Sequence, residues 1–324
     1  MDYYNNNKII AIGDIHGDYY IFIKMLKISH IINDELEWIG KDTYVVQIGD
    51  ILDGKRPDVS FEKKYLEEPG ELKIINLILK LDSEAVKQGG KFVSILGNHD
   101  ICSYYFYKND KYNKAYVKKS DIQEYRKVYN ISRSDFFYPG KGQGAIIFGN
   151  TRPLLYQLGK FLFCHGSLSL KFIDYCLSCT KYIKVINNNR YINIDRINAD
   201  ISDWLITGNN KPFYIDMDDD IHPLLNRELS GPEYMSDIEC GCKVKEILSH
   251  FYGVKYLILG HSCHYKINTI CNNTIYRIDI GISRAFGGKL EDNIKRIQML
   301  EIEQDNHKCK TSIITTKGKI KIVE

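Results

Sequence analysis

No stretch of this 324-residue chain approaches the ~18 consecutive apolar residues that a membrane-crossing helix needs. A run such as Tyr256-Leu257-Ile258-Leu259 stops at Gly260. No charge of one sign dominates either: 44 Lys+Arg against 41 Asp+Glu leave a net charge of +3. That is far from the basic surplus that would make nucleic acid the default partner, so neither a membrane nor a nucleic acid is expected. The opening residues, Met1-Asp2-Tyr3-Tyr4-Asn5-Asn6-Asn7, lack the basic start and apolar stretch of a secretory leader. They predict an intracellular, cytoplasmic protein. A disulfide framework is missing too: nine cysteines is an odd number, and Cys102, Cys164 and Cys271 sit singly in apolar runs, as reduced core thiols do. What is present is core-forming material, with 44% hydrophobic residues against 26% charged. A chain of this size can bury roughly 75% of its unfolded surface without staples, as one large domain.

The first hundred residues repeat one pattern, a short β-rich run closed by glycine and a polar cluster, then a stretch with helical spacing. Strands are predicted over 8–12, 43–48 and 92–96, with helices over 19–31 and from about 72 to 86. Right-handed crossovers would place the C-terminal ends of three parallel strands on one edge of a sheet. Residues 101–143, rich in Tyr and Lys, read as an inserted helical and loop segment over those strand ends. A hairpin follows from 154, turning at Gly159-Lys160. Residues 168–250, with Asn187-Asn188-Asn189 and the acidic run Asp216-Met217-Asp218-Asp219-Asp220, read as a second, mainly helical and loop-like insertion. Six strand-like runs (254–259, 266–271, 275–280, 297–303, 310–315 and 319–323) then predict a second, largely antiparallel sheet, with Asn272-Asn273 as a hairpin turn. The whole reads as a single α/β domain, 1–324, with insertions at 101–143 and 168–250.

Five polar clusters each follow a predicted strand: Gly13-Asp14-Ile15-His16-Gly17, Gly49-Asp50-Ile51-Leu52-Asp53-Gly54, Gly97-Asn98-His99-Asp100, Cys164-His165-Gly166 and Gly260-His261-Ser262. Carboxylate, imidazole and amide oxygen form a ligand set for a borderline divalent ion. Two ions a few ångströms apart need one carboxylate between them and a water that becomes nucleophilic near neutral pH. Helix caps alone would not require histidine in these clusters.

In order and spacing these clusters resemble the calcineurin-like metallophosphoesterase superfamily, whose pattern is GDxHG, GDxxDRG, GNH with a following acid, a later HG and a final GH. Asp279-Ile280-Gly281-Ile282-Ser283-Arg284 further resembles the DxGxSR element of Shewanella-like phosphatases, within the serine/threonine phosphatase branch. The resemblance implies a four-layer α/β/β/α sandwich with two divalent metals, manganese by family expectation, iron or zinc otherwise. Laid on matching positions, it implies that Asp14 and His16 bind the first metal, Asp50 bridges, and Asn98, His165 and His261 bind the second. It further implies that His99 protonates the leaving alkoxide while Asp53 holds that imidazole charged. The implied activity is a phosphomonoesterase, a serine/threonine protein phosphatase foremost. A nucleotide phosphoesterase of the diadenosine tetraphosphate hydrolase type, or a silent module that binds a phosphorylated partner, are the alternatives.

The chain departs from the family pattern twice. Where GDxxDRG has its arginine, which clamps phosphate bidentately, this chain has Gly54, then Lys55 and Arg56. Arg56 is the expected replacement, with Arg284 or Arg152 as the other arginines able to supply the fork. The final motif has Cys263 and then His264, one residue late for GHxH, so His264 is left out of the ligand set. Three weaker signals stand apart. Cys176, Cys179, Cys240 and Cys242 could form a zinc site, although the second spacing is tight. The 216–220 run lacks the glycine and terminal glutamate of a calcium loop and reads as solvated. The tyrosines of 104–116 form either a wall over the metals or ordinary packing.

Overall fold

The computed structural model describes residues 8–105, 110–216, 220–231, 237–304 and 309–323. The three early apolar runs form β1 (Lys8–Ile12), β2 (Tyr44–Gln47) and β3 (Lys91–Ser94), paired in parallel in that order. Between them, the helices Tyr19–Ile28 and Glu71–Val86 bury one face each, through Phe22, Met25 and Leu26 and through Leu72, Ile75 and Leu81. Asp18 starts the first helix by accepting the Ile21 N–H at 3.3 Å. Ile9 to Ile12 are fully buried, which is why this strand reads as a continuous apolar run with no alternation.

The hairpin of β4 (Leu155–Leu158) and β5 (Phe161–Cys164) turns at Gly159, where φ is 58°. The second insertion holds a hairpin that sequence reading missed, β6 (Ile183–Ile186) and β7 (Asn189–Ile192). Its turn residues Asn187 and Asn188 both have positive φ, 49° and 62°, the conformation that a two-residue hairpin loop requires. Alternation over four-residue strands was too short a signal to separate from loop.

The six C-terminal strands do not form one sheet. β8 (Tyr256–Leu259), β9 (Asn268–Ile270) and β10 (Ile275–Arg277) join the first hairpin in the order β4-β5-β8-β10-β9, with β5–β8 and β8–β10 parallel. This sheet is mixed, not largely antiparallel. β11 (Gln298–Gln304), β12 (Cys309–Thr315) and β13 (Gly318–Val323) instead extend the first sheet, giving β13-β12-β11-β1-β2-β3. Antiparallel pairing of β11 covers the edge that β1 would otherwise expose. One apolar cluster draws on both sheets, and helices complete the expected α/β/β/α layering. The first insertion is helical, through Asp110–Tyr116, Lys119–Tyr129 and Arg133–Phe136.

The cysteines correct the sequence reading. Cys240 and Cys271 are joined by a disulfide, with Cα atoms 5.2 Å apart, because the Asp237–Ser249 helix packs its Cys240 against the β9–β10 turn. Cys271 is therefore not a lone core thiol, and Cys240 cannot complete a zinc site. Cys176 is buried and Cys242 exposed, and no cysteine belongs to a metal-competent cluster among the described residues. The side chain of Cys102 and residues 217–219 of the acidic run lie outside the described residues.

Candidate active site

The predicted clusters converge at the ends of β1, β2, β3, β5 and β8. Donor atoms of Asp14, His16 and Asp50 lie within 4.8 Å of one another, and so do those of Asp50, His165 and His261. Asp50 belongs to both groups, and all five residues are buried. Asn98 Oδ1 lies 2.9 Å from His165 Nε2, at the edge of the second group. Close approach demands glycine here: a Cβ at Gly97 would collide with the backbone and carboxylate of Asp50, and one at Gly260 would sit 2.7 Å from Asp14 Oδ1. His16, Asp50, Asp53 and His261 all adopt positive φ, between 45° and 66°. Non-glycine residues hold that conformation at a cost of about 1–3 kcal/mol each, so the surroundings must over-determine it.

Much of that determination comes from Asp100, whose importance the motif alone did not reveal. Its carboxylate accepts the backbone N–H groups of Asp50, Ile51, Leu52 and Gly97 at 2.9–3.3 Å. The β2 and β3 loops are thereby locked together. Arg152 lies behind this, donating to Ser94 and stacked 4.1 Å from the Phe148 ring centroid, so it is structural and no phosphate fork.

The donor chemistry fits cations. The Nδ1 of His16 is 3.0 Å from the Leu52 carbonyl and that of His165 is 2.8 Å from the Ile48 carbonyl. A carbonyl only accepts, so each Nδ1 donates to it and each Nε2 is the nitrogen turned toward the carboxylates, the orientation metal-binding imidazoles take. The Arg56 guanidinium lies against the His16 ring, 2.8 Å from its Nε2 and 3.0 Å from its Nδ1. Burial and the nearby Asp279 carboxylate push Asp14 well above the usual carboxylate range. Burial would do the same to Asp50, but His165, His99 and His16 hold it well below. Burial lowers His16 and His261, whereas the Asp50 and Asp14 carboxylates overcome burial at His165 and raise it to about 10. Carboxyl and imidazole groups crowded into a dry site, where they cannot all keep their ordinary charges, form a receptor for divalent ions, whose binding would displace the protons.

His99 stands at the rim, its N–H on Asp50 at 2.7 Å and its Nδ1 2.8 Å from Asp53 Oδ2. Behind Asp53 lies a buried network that sequence reading missed. Arg133 from the first insertion donates to Asp53 Oδ1 at 2.8 Å and forks on Glu71 at 2.6 and 2.9 Å. Tyr112 bonds the same Asp53 oxygen as His99. Burial would raise both carboxyls; Arg133 and His99 hold Asp53 down at about 2, while Glu71, facing Asp121 and Asp53 as well, rises to about 7. Only folding brings Arg133 within reach of residues 62 and 80 positions away.

Arg56 is the arginine that reaches the site. It lies 2.8 Å from His16 Nε2 and 3.5 Å from His99 Nε2, and it stacks 4.6 Å from the Phe286 centroid. Arg284 does not share that role: its guanidinium forks on Asp18 at 2.9 and 2.6 Å and is buried. His264 turns to the Ser230 carbonyl at 2.8 Å, outside both donor groups. Of the tyrosines of 104–116, Tyr112 and Tyr116 pack beside His99; the side chains of 104 and 105 and residues 106–109 lie outside the described residues.

The second insertion also has a place. Residues 222–231 run behind His165 and His261: Leu225 accepts from His261 Nε2 at 3.2 Å, and Arg227 donates to the His261 carbonyl at 3.0 Å. Buried His222 accepts the Leu224 N–H at 3.2 Å, and burial lowers it from 6.5 to about 4. The unfolded chain therefore binds the extra proton between those values. The His222 contribution is complete above pH 6.5 and is lost as pH falls to about 4, a change of about 3 kcal/mol. Urea unfolding from pH 7 to 4 should show this slope, and His222→Gln should flatten it; an unchanged slope would remove His222 as its source.

The family model for calcineurin-like phosphoesterases matches residues 7–265, which contain every residue of the two donor groups and His99. The chain belongs to the calcineurin-like phosphoesterase family. Members are metal-using hydrolases of phosphate esters, and this chain is such a hydrolase. It is 26% identical to Shewanella-like protein phosphatase 2 of Arabidopsis thaliana over 343 residues, covering 92% of this chain and 76% of that protein. Shewanella-like protein phosphatase 1 of Plasmodium berghei is also 26% identical, covering 86% and 68%. In fold it is similar to a cold-active protein-tyrosine phosphatase of a psychrophilic Shewanella species, with a TM-score of 0.66 at 16% identity over 97% of this chain and 80% of that one. A protein serine/threonine phosphatase from Saccharomyces cerevisiae superposes with a TM-score of 0.52 at 13% identity, covering 97% and 82%. Among the described residues no helix is long and apolar enough to cross a membrane.

Proposed function

We propose that this phosphoesterase is a dinuclear-metal protein phosphatase acting on phosphoserine or phosphothreonine. The observation that carries the reading is Asp50, shared by two buried donor groups with His99 held beside it. Asp14, His16 and Asp50 would hold one divalent ion, and Asp50, Asn98, His165 and His261 the other. When bound, such a pair neutralises phosphoryl oxygens and makes a water acidic enough to attack near neutral pH. The chain's own groups do the rest. Arg56 offers its guanidinium to the phosphate from the site's rim, in place of the arginine that this chain lacks in its GDxxDRG motif. His99 donates a proton to the leaving oxygen, and Asp53, bonded to its Nδ1, orients the ring and favours the imidazolium. The protein phosphatases among its relatives support a polypeptide substrate.

Phosphotyrosine is a second reading, favoured by the aromatic frame of Tyr116 and Phe286 around Arg56. Purified protein with manganese should hydrolyse para-nitrophenyl phosphate and a phosphothreonine peptide and lose both activities in EDTA. Preference for a phosphotyrosine peptide would promote the second reading, and preference for diadenosine tetraphosphate would replace both. Retention of phosphopeptide without turnover would make the protein a binding module. His99→Ala should lower turnover about 10²-fold or more with metal content unchanged; full turnover in that variant would take His99 out of the reaction.

A further inference from the structure

Behind the candidate site, a cavity of about 550 Å³ is walled by the first insertion and the loop that follows Asp53. The Asp110–Tyr116 helix separates the two spaces. Its Tyr112 and Tyr116 face His99, whereas Asn113 and Lys114 line the cavity. Lys55 forms part of the opposite wall and ties the two together, its N–H on the Tyr116 carbonyl at 2.8 Å and its Nζ on the Lys114 carbonyl at 2.7 Å.

The lining is cationic. Arg133 is neutralised by Glu71 and Asp53, yet Lys55, Lys114, Lys119 and Arg126 remain, opposed only by Asp135. The Asp135 carboxylate is itself taken by the Ser132 hydroxyl at 2.7 Å. Among the described residues Lys114, Lys119 and Arg126 enter no ion pair. A chain whose net charge is only +3 has gathered four cations around one concavity. Like charges held close repel, and low-dielectric walls focus their field, so the arrangement favours a bound anion.

We infer that this cavity receives an acidic or second phosphorylated residue of the same polypeptide whose phosphate enters the active site. The inference rests on the protein-phosphatase reading above. A helix with its side chains is about 10 Å across, and an extended peptide advances about 3.3 Å per residue. The recognised anion therefore lies about three to four residues from the phosphorylated one.

The test uses two phosphopeptides that differ only in glutamate or glutamine three and four residues from the phosphoresidue on each side. Their phosphoresidue is phosphothreonine, or phosphotyrosine if that is the one turned over. Para-nitrophenyl phosphate serves as a substrate too small to reach the cavity. The full chain should favour the acidic peptide by about tenfold in kcat/KM at low salt, and the preference should fall as salt rises. The exposed-residue variant Lys114→Glu/Lys119→Glu/Arg126→Glu should lose the preference and keep its nitrophenyl phosphate turnover. The corresponding glutamine variant should fall between. Equal rates on both peptides, or a preference that survives charge reversal, would overturn the inference. So would tripolyphosphate stimulating nitrophenyl phosphate turnover in the absence of any peptide preference, which would assign the cavity to a free anion. If neither peptide is hydrolysed while nitrophenyl phosphate is, the protein-phosphatase reading fails and takes the inference with it.

Discussion

Asp50→Asn should lower turnover about 10³-fold or more, the largest loss expected of any single substitution in this protein. Asp50 is the one residue in both donor groups, so neutralising it weakens two ion sites together. A metal centre contributes several kcal/mol of charge stabilisation, and about 4 kcal/mol corresponds to a thousandfold in rate. The amide keeps the shape of the carboxylate, and Asp100 still pins the backbone through its four N–H bonds, so the fold should survive. Metal analysis by mass spectrometry should find two bound ions per native chain and less than one in the variant. Native-like turnover with two ions retained would remove Asp50 as the shared ligand, and a single ion in the native protein would sink the dinuclear reading.

Arg133→Met should cost about 3–5 kcal/mol of stability, the usual loss when one partner of a buried ion pair is removed. Asp53 and Glu71 are fully buried and Arg133 nearly so, and methionine keeps bulk but no charge. The loss should also depend on pH in a defined direction. Without Arg133, Glu71 rises further and Asp53 loses the strongest of the contacts that hold it down, so the folded variant binds more protons than the folded native protein. Its stability relative to the native protein then falls as pH rises, and the deficit measured in urea should be larger at pH 8 than at pH 5. Because Asp53 orients His99, the variant should also lose more turnover on an alkyl phosphate, whose leaving group needs a proton, than on nitrophenyl phosphate. Equal losses on both substrates would confine Arg133 to stability.

The clusters Asp14-Ile15-His16, Asp50 to Asp53, Asn98-His99, His165 and His261 are legible in the amino-acid sequence as one site. Each lies at the end of its own strand, and parallel strands must deliver such ends to one edge. The DRG departure is equally visible there, and Arg56 is the arginine found against His16 and His99. Sheet membership is less legible. Strand-like runs announce strands but not partners, and nothing local to 298–304 says that it pairs with residue 8 and its neighbours rather than with β10.

The sequence by itself determined the donor types in the clusters, their order and the βαβαβ frame, because side-chain chemistry and hydrophobic period are local properties of the chain. Only the tertiary structure decided what surrounds them. Arg133, Glu71 and Tyr112 behind Asp53, Arg284 turned onto Asp18, Cys240 joined to Cys271 and the cationic cavity behind the tyrosine helix all depend on contacts between residues far apart in the chain. Such contacts form because burial leaves each charge or polar group no stable alternative to a partner, and which partner it meets is settled by packing.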